Sequence, residues 1–137
     1  MRLFIALLIG LIAVYGGWSL TRRPHVSSPP VVVQRGVASW YGREEDGGPT
    51  ASGETFNRHE FTAASRHLPF NTVVRVTNER NGRTVDVRIN DRGPYVGGRI
   101  LDLSEAAADS LDMKDSGTAP VRIQLVQPTS TGAASSP

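Results

Sequence analysis

Residues 74–89 constrain the fold of this 137-residue chain more than any other segment. Val74 and Val76 alternate with Arg75 and Thr77, Val85, Val87 and Ile89 alternate with Asp86 and Arg88, and Asn81-Gly82 stands between the two runs. Period-two alternation of β-branched residues marks half-buried strands, and Asn-Gly is the strongest short hairpin signal. A two-residue turn at Asn81-Gly82 predicts pairing of Val76 with Val87 and of Val74 with Ile89, all four on one buried face. The same register sets Arg75 opposite Arg88, a mild repulsion that Asp86 relieves diagonally.

The segments around the hairpin are also short and mostly extended. Val37–Tyr41 reads as a strand ended by Gly42, Phe61–Ala64 as a short extended piece, and Arg99–Leu103 and Val121–Val126 as further strands. Residues 43–58 form a long loop rich in Gly, Pro, Thr, Ser and Asn; a loop of that length in a small domain is either functional or disordered. Asn71 follows Leu68-Pro69-Phe70 where a turn needs a left-handed residue. Ser104 suits the cap of a helix EAAADSLDM, in which Ala107 and Leu111 follow Leu103 at four-residue steps. The expectation is a mostly β domain with one or two short helices, closed or nearly so to hide its edges.

Charge divides the chain. Of 15 basic residues, Arg2, Arg22, Arg23 and Arg35 precede Gly36, whereas all 13 acidic residues follow it. The body is therefore slightly acidic, and the overall basicity does not imply a nucleic-acid partner. Cysteine is absent, which excludes disulfides, thiolate metal sites and a cysteine nucleophile. The three histidines, His25, His59 and His67, lack metal-ligand spacing, so neither metal nor other cofactor is expected.

Residues 1–23 open with Met1-Arg2 and an apolar run from Leu3, and read as an export signal or an uncleaved N-terminal membrane anchor. Residues 24–35 are a Pro- and Ser-rich linker, 36–126 the working domain, and 127–137 a disordered tail. The expected location is the cell envelope, outside the cytoplasm, as a monomer.

In order along the body stand GVASWYG, SGETF, FTAA, LPFNTVVRVTN, VRINDRGPY, GRILDLSEAAA and VRIQLV. This series, from Gly36 to Val126, resembles the rare-lipoprotein-A family of bacterial envelope proteins. The resemblance implies a six-stranded double-psi β-barrel. It further implies lytic transglycosylase activity on peptidoglycan glycan strands, cleaving between N-acetylmuramic acid and N-acetylglucosamine, with a preference for strands free of stem peptides. The family's two acidic catalytic positions fall on Glu54 and Asp91. Two positions depart: Asn57 stands where many members have Asp, and Ser65 where they have His, with His67 two residues on as a partial substitute. The family's lipobox cysteine is missing, and septal targeting through a glycan-binding C-terminal domain is not expected here.

Such a reaction needs an acid to protonate the leaving oxygen and a base for the attacking hydroxyl. The sugar's own 6-hydroxyl serves as nucleophile, so one carboxyl can act first as acid and then as base, without water or metal. Asp91 is the first candidate, at the end of a buried strand; its bland alternative is an Asx residue opening the DRGP turn. Glu54 is the second, its alternative being a solvated loop charge. Tyr41, Arg88, Arg92, Tyr95 and His67 are candidate substrate contacts. Trp40 reads more readily as core, and Asp102 as structural, accepting hydrogen bonds from a neighbouring loop or from Arg99. Two other readings stay open: a non-catalytic glycan-binding or expansin-like wall-loosening module, and a structural partner in the envelope.

Overall fold

The computed structural model describes residues 31–126; the leader, most of the linker and the tail fall outside the described residues. Six strands and one helix follow in order: β1 Val32–Tyr41, β2 Thr62–Ala64, β3 Val73–Asn78, β4 Thr84–Asp91, β5 Arg99–Ser104, α1 Glu105–Ser110 and β6 Thr118–Leu125. They close into a barrel in the order β1-β5-β2-β4-β3-β6. β1 runs parallel to β5 and β2 parallel to β4, while the other neighbours are antiparallel. This is the six-stranded double-psi barrel that the sequence resemblance implies, with a single short helix.

The barrel interior is the expected hydrophobic set. Val74, Val76, Val87 and Ile89 are buried, and Leu101, Leu103, Val121 and Ile123 complete the lining. Ala107, Leu111 and Met113 belong to the same buried cluster. Complete closure leaves no ladder edge exposed, so a domain this small needs no further sheet to protect it.

The hairpin register differs from the expectation by two residues. Val76 pairs with Val85 and Val74 with Val87, and Arg75 lies opposite Asp86 rather than Arg88. A shift of two preserves the inward and outward faces, which is why the same valines are buried. The gain is electrostatic: the Arg75 guanidinium donates to both Asp86 oxygens, at 2.8 and 3.1 Å. The cause lies in the turn. Gly82, not the Asn-Gly pair, takes the left-handed conformation (φ 77°), and its N–H donates to the Asn78 carbonyl at 2.8 Å, giving a longer loop. That loop directs Asn78 Nδ2 and Asn81 Nδ2 onto the Leu111 carbonyl, at 2.9 and 3.0 Å. Leu111 caps the C-terminus of α1, where carbonyls lack helical partners. The tertiary need of the helix end outweighs the local preference for a two-residue turn.

Other boundaries shift for local reasons. β1 begins at Val32, inside the segment read as linker, because its first half pairs with β6. The helix stops at Ser110, short of Met113, because Asp112 adopts φ 52° and turns the chain out of the helix. Ser104 caps it as expected, its Oγ accepting from the Ala107 N–H at 3.4 Å. Asn71 is left-handed at φ 68°.

Candidate active site

One register row on the barrel's outer face organises the site. Ser39 of β1 pairs with Asp102 of β5, Asp102 with Ala64 of β2, and Ala64 with Asp91 of β4. Directly opposed residues project to one face of a sheet. The neighbouring row, Leu103, Ala63 and Ile89, points into the core. A bulge helps to aim Asp91: the β2–β4 register shifts between Ala63 and Ala64, so Asn90 is the extra residue and Asp91 returns to the outer face.

Residues 42–58 cover this row as an ordered loop rather than a disordered one. Within it the Gly47 N–H donates to the Phe56 carbonyl and the Phe56 N–H to the Gly48 carbonyl, each at 2.8 Å. Its tip docks on the end of β4, where the Ala51 N–H donates to Asp91 Oδ1 at 2.9 Å and the Ser52 N–H to the Asn90 carbonyl at 3.3 Å. Between loop and barrel lies a cleft of about 250 Å³ lined by Tyr41, Glu45, Phe56, Asp91, Arg92 and Asp102.

Asp91 holds its own turn and the loop together. Its Oδ1 accepts from the N–H groups of Arg92, at 2.8 Å, and Ala51. No side chain or backbone donor among the described residues reaches Oδ2. The turn-forming role and a cleft-facing carboxylate oxygen therefore coexist on one residue.

Glu54 is placed differently. Its two oxygens accept from Arg88 Nη1 and Nη2 at 2.6 and 3.0 Å, and Oε2 also accepts from Asn90 Nδ2 at 3.2 Å. Hydrogen bonds from Arg88 first, then from Asn90, hold its carboxyl below the usual glutamate range. Glu54 and Arg88 thus engage each other beside the cleft and are not part of its lining.

Tyr41 lines the cleft. Its ring packs on Phe56, with centroids 4.6 Å apart, and its phenol oxygen is buried without a hydrogen-bond partner among the described residues. Burial, reinforced by the carboxylates of Asp91, Asp102 and Glu45, pushes the phenol up, so Tyr41 stays a neutral donor. Arg92 is a wall rather than a free cation. Its Nη1 donates to the carbonyls of Ser65 and Leu68 at 3.1 and 2.9 Å, and its guanidinium stacks 3.9 Å over Phe70.

The remaining candidates spread out. Tyr95 is 79% exposed on the loop after β4, and His67 is exposed on the turn that Ser65 Oγ caps by accepting from the N–H groups of His67 and Leu68. Trp40 packs against the core as expected and donates from Nε1 to the Lys114 carbonyl at 3.3 Å. Asp102 accepts from the Ser39 hydroxyl rather than from Arg99, which donates instead to Ser39 Oγ at 3.4 Å. Its place in the cleft is what sequence reasoning missed. The available signal was a carboxylate between two core leucines, Leu101 and Leu103, in a strand otherwise read as structural. Among the described residues no group of three His, Asp or Glu side chains is placed to hold a metal ion.

Comparison with known proteins agrees with this architecture. A family model described as lytic transglycolase matches residues 33–123. The endolytic peptidoglycan transglycosylase RlpA of Campylobacter jejuni is 54% identical over 91 residues, covering 66% of this chain and 33% of that protein. A probable endolytic peptidoglycan transglycosylase RlpA of Nostoc is 60% identical over 94 residues, covering 67% of this chain and 25% of that one. The chain thus matches about a quarter to a third of the length of these relatives. Among solved structures, the Streptomyces papain inhibitor has a TM-score of 0.56 at 23% identity, covering 72% of this chain and all of that one. A Clavibacter michiganensis expansin scores 0.55 at 23% identity, covering 69% of this chain and 51% of that one. At such identities these two likenesses speak for the fold alone. The family match and the close relatives go further: the chain belongs to the lytic transglycolase family, and its double-psi barrel is the family's domain.

Proposed function

We propose that the barrel is an endolytic peptidoglycan transglycosylase. It cleaves the linkage between N-acetylmuramic acid and N-acetylglucosamine in peptide-poor strands and leaves a 1,6-anhydro end. The observation that carries this reading is Asp91, whose Oδ1 is occupied by two backbone N–H groups while its carboxylate lines an open cleft. A carboxylate held rigidly by its backbone partners is suited to proton transfer at a bound glycosidic bond. As the C1–O4 bond breaks, O4 of the leaving glucosamine takes a proton; as O6 closes on C1, the 6-hydroxyl gives one up. Protons balance, and no water enters the products.

The other residues have supporting roles in this reading. Glu54, clamped by Arg88, supports the loop tip and the substrate position more than the proton transfer. Tyr41 and Phe56 supply an aromatic wall of the cleft, and Tyr95 an exposed ring for a sugar face. Residues 1–23 deliver the domain to the envelope, where its substrate lies.

Purified full-length protein is incubated with peptide-free glycan and the products are read by mass spectrometry. Ends containing 1,6-anhydromuramic acid are expected. Co-sedimentation with glycan without such products would instead support the binding or wall-loosening reading. The buried Ser65, which caps a turn and supplies no titrating group, is the observation that favours that reading.

A further inference from the structure

We propose that Asp102 is a second proton-transferring carboxylate of the cleft, sharing the reaction's two proton transfers with Asp91. This rests on the transglycosylase reading above and assigns its second acidic group to β5 rather than to Glu54.

Asp102 lies on the same register row as Asp91. Asp102 and Asp91 both pair with Ala64, from opposite sides, so they stand two strand spacings apart, about 10 Å between backbones. All three project to the same outer face. Only the methyl group of Ala64 stands between them, and it lines the cleft together with the two carboxylates. Such a pair flanking a glycosidic bond is the usual apparatus for breaking one.

The partners of Asp102 also suit the role. The Ser39 hydroxyl donates to its Oδ1, and Arg99 Nη1 donates to Ser39 Oγ, which leaves the hydroxyl proton directed at the carboxylate. No donor among the described residues reaches Asp102 Oδ2. Glu54 offers no equivalent, since both its oxygens are taken by Arg88. Tyr41 lines the same cleft as Asp91 and Asp102, its buried phenol bonded to neither among the described residues.

The partners suggest how the work is divided. Asp91, with two backbone N–H groups on Oδ1, accepts the proton of the 6-hydroxyl as the O6–C1 bond forms. Asp102, with only a hydroxyl on it, gives its proton to O4 as the C1–O4 bond breaks. Transfer of one proton from Asp91 to Asp102, through solvent after product leaves, restores the starting state.

The test compares two substrates in the full-length protein. The first is peptide-free glycan, whose leaving oxygen needs a proton. The second is an aryl glycoside of N-acetylmuramic acid, whose phenolate leaves without one. Asp102→Asn, in which the amide oxygen can still accept from Ser39, should lose anhydro-end formation on glycan by about a hundredfold or more. It should keep most turnover of the aryl glycoside, while Asp91→Asn loses both. Should Asp102→Asn fail to fold, Ser39→Ala serves: a tenfold loss on glycan with the aryl glycoside spared supports the proposal. Wild-type rates on glycan in a folded Asp102→Asn, or equal losses on both substrates in either variant, overturn it. If the wild type itself forms no anhydro ends, the transglycosylase reading fails and this assignment with it.

Discussion

Asp91 and Glu54 are both bound to the junction between the 42–58 loop and the end of β4, yet their carboxylates are used in opposite ways. Glu54 gives both oxygens to a charged fork and a buried amide, so three protein donors already occupy its carboxylate. Asp91 concentrates its internal bonds on one oxygen and lines an open cleft. Two acidic residues that look equivalent in a motif are therefore distinguished by what each has left to offer a substrate. Hydrogen-bond supply, more than acidity alone, separates a group that builds the site from one that can act in it.

The largest expected effect removes both at once. Val87 is buried in β4 opposite Val74, and Val87→Asp would place an unpaired charge in the barrel. The cost, more than about 4 kcal/mol, should unfold the domain. A melting curve like that of wild type would mean that β4 does not carry the core as described.

Next comes a change that attacks only the cleft. Ala64→Leu inserts three carbons between Asp91 and Asp102, with a packing cost of about 1–3 kcal/mol. Anhydro-end formation should fall to background while the barrel still melts cooperatively. Retained turnover would put the glycan elsewhere on the surface.

A smaller effect isolates Glu54. Its depressed carboxyl contributes stability that is fully present above the ordinary glutamate range and is lost as pH falls through the folded value. The difference in melting temperature between wild type and Glu54→Gln should accordingly be greatest near neutral pH and close under acid conditions. A difference independent of pH would show that the Arg88 pair does not persist in solution.

Much of this architecture was legible in the sequence, and the shortfalls have physical causes. Alternation identified the buried faces of β3 and β4, because inward and outward positions survive a two-residue slip. It could not identify the register, because Asn78 and Asn81 answer to a helix end about thirty residues away. Asp91 was legible from its motif and its place at a strand end. Asp102 was read as structural because its significance comes from Ala64, which joins β5 and β4 only when the barrel closes. The loop at 43–58 was flagged by composition and length, but not its internal hairpin, whose backbone bonds leave little mark on side-chain pattern.

The contrast between the two carboxylates is tested most directly by measuring anhydromuramic ends released from peptide-free glycan by Asp91→Asn and Glu54→Gln side by side. Asparagine at 91 retains an oxygen for the Ala51 and Arg92 N–H groups, so Asp91→Asn should melt close to wild type. Its release of anhydro ends should drop by about a thousandfold. Glu54→Gln should lose activity more modestly, about tenfold, in keeping with a supporting role. Equal losses in the two variants, or full activity in Asp91→Asn, would contradict the account.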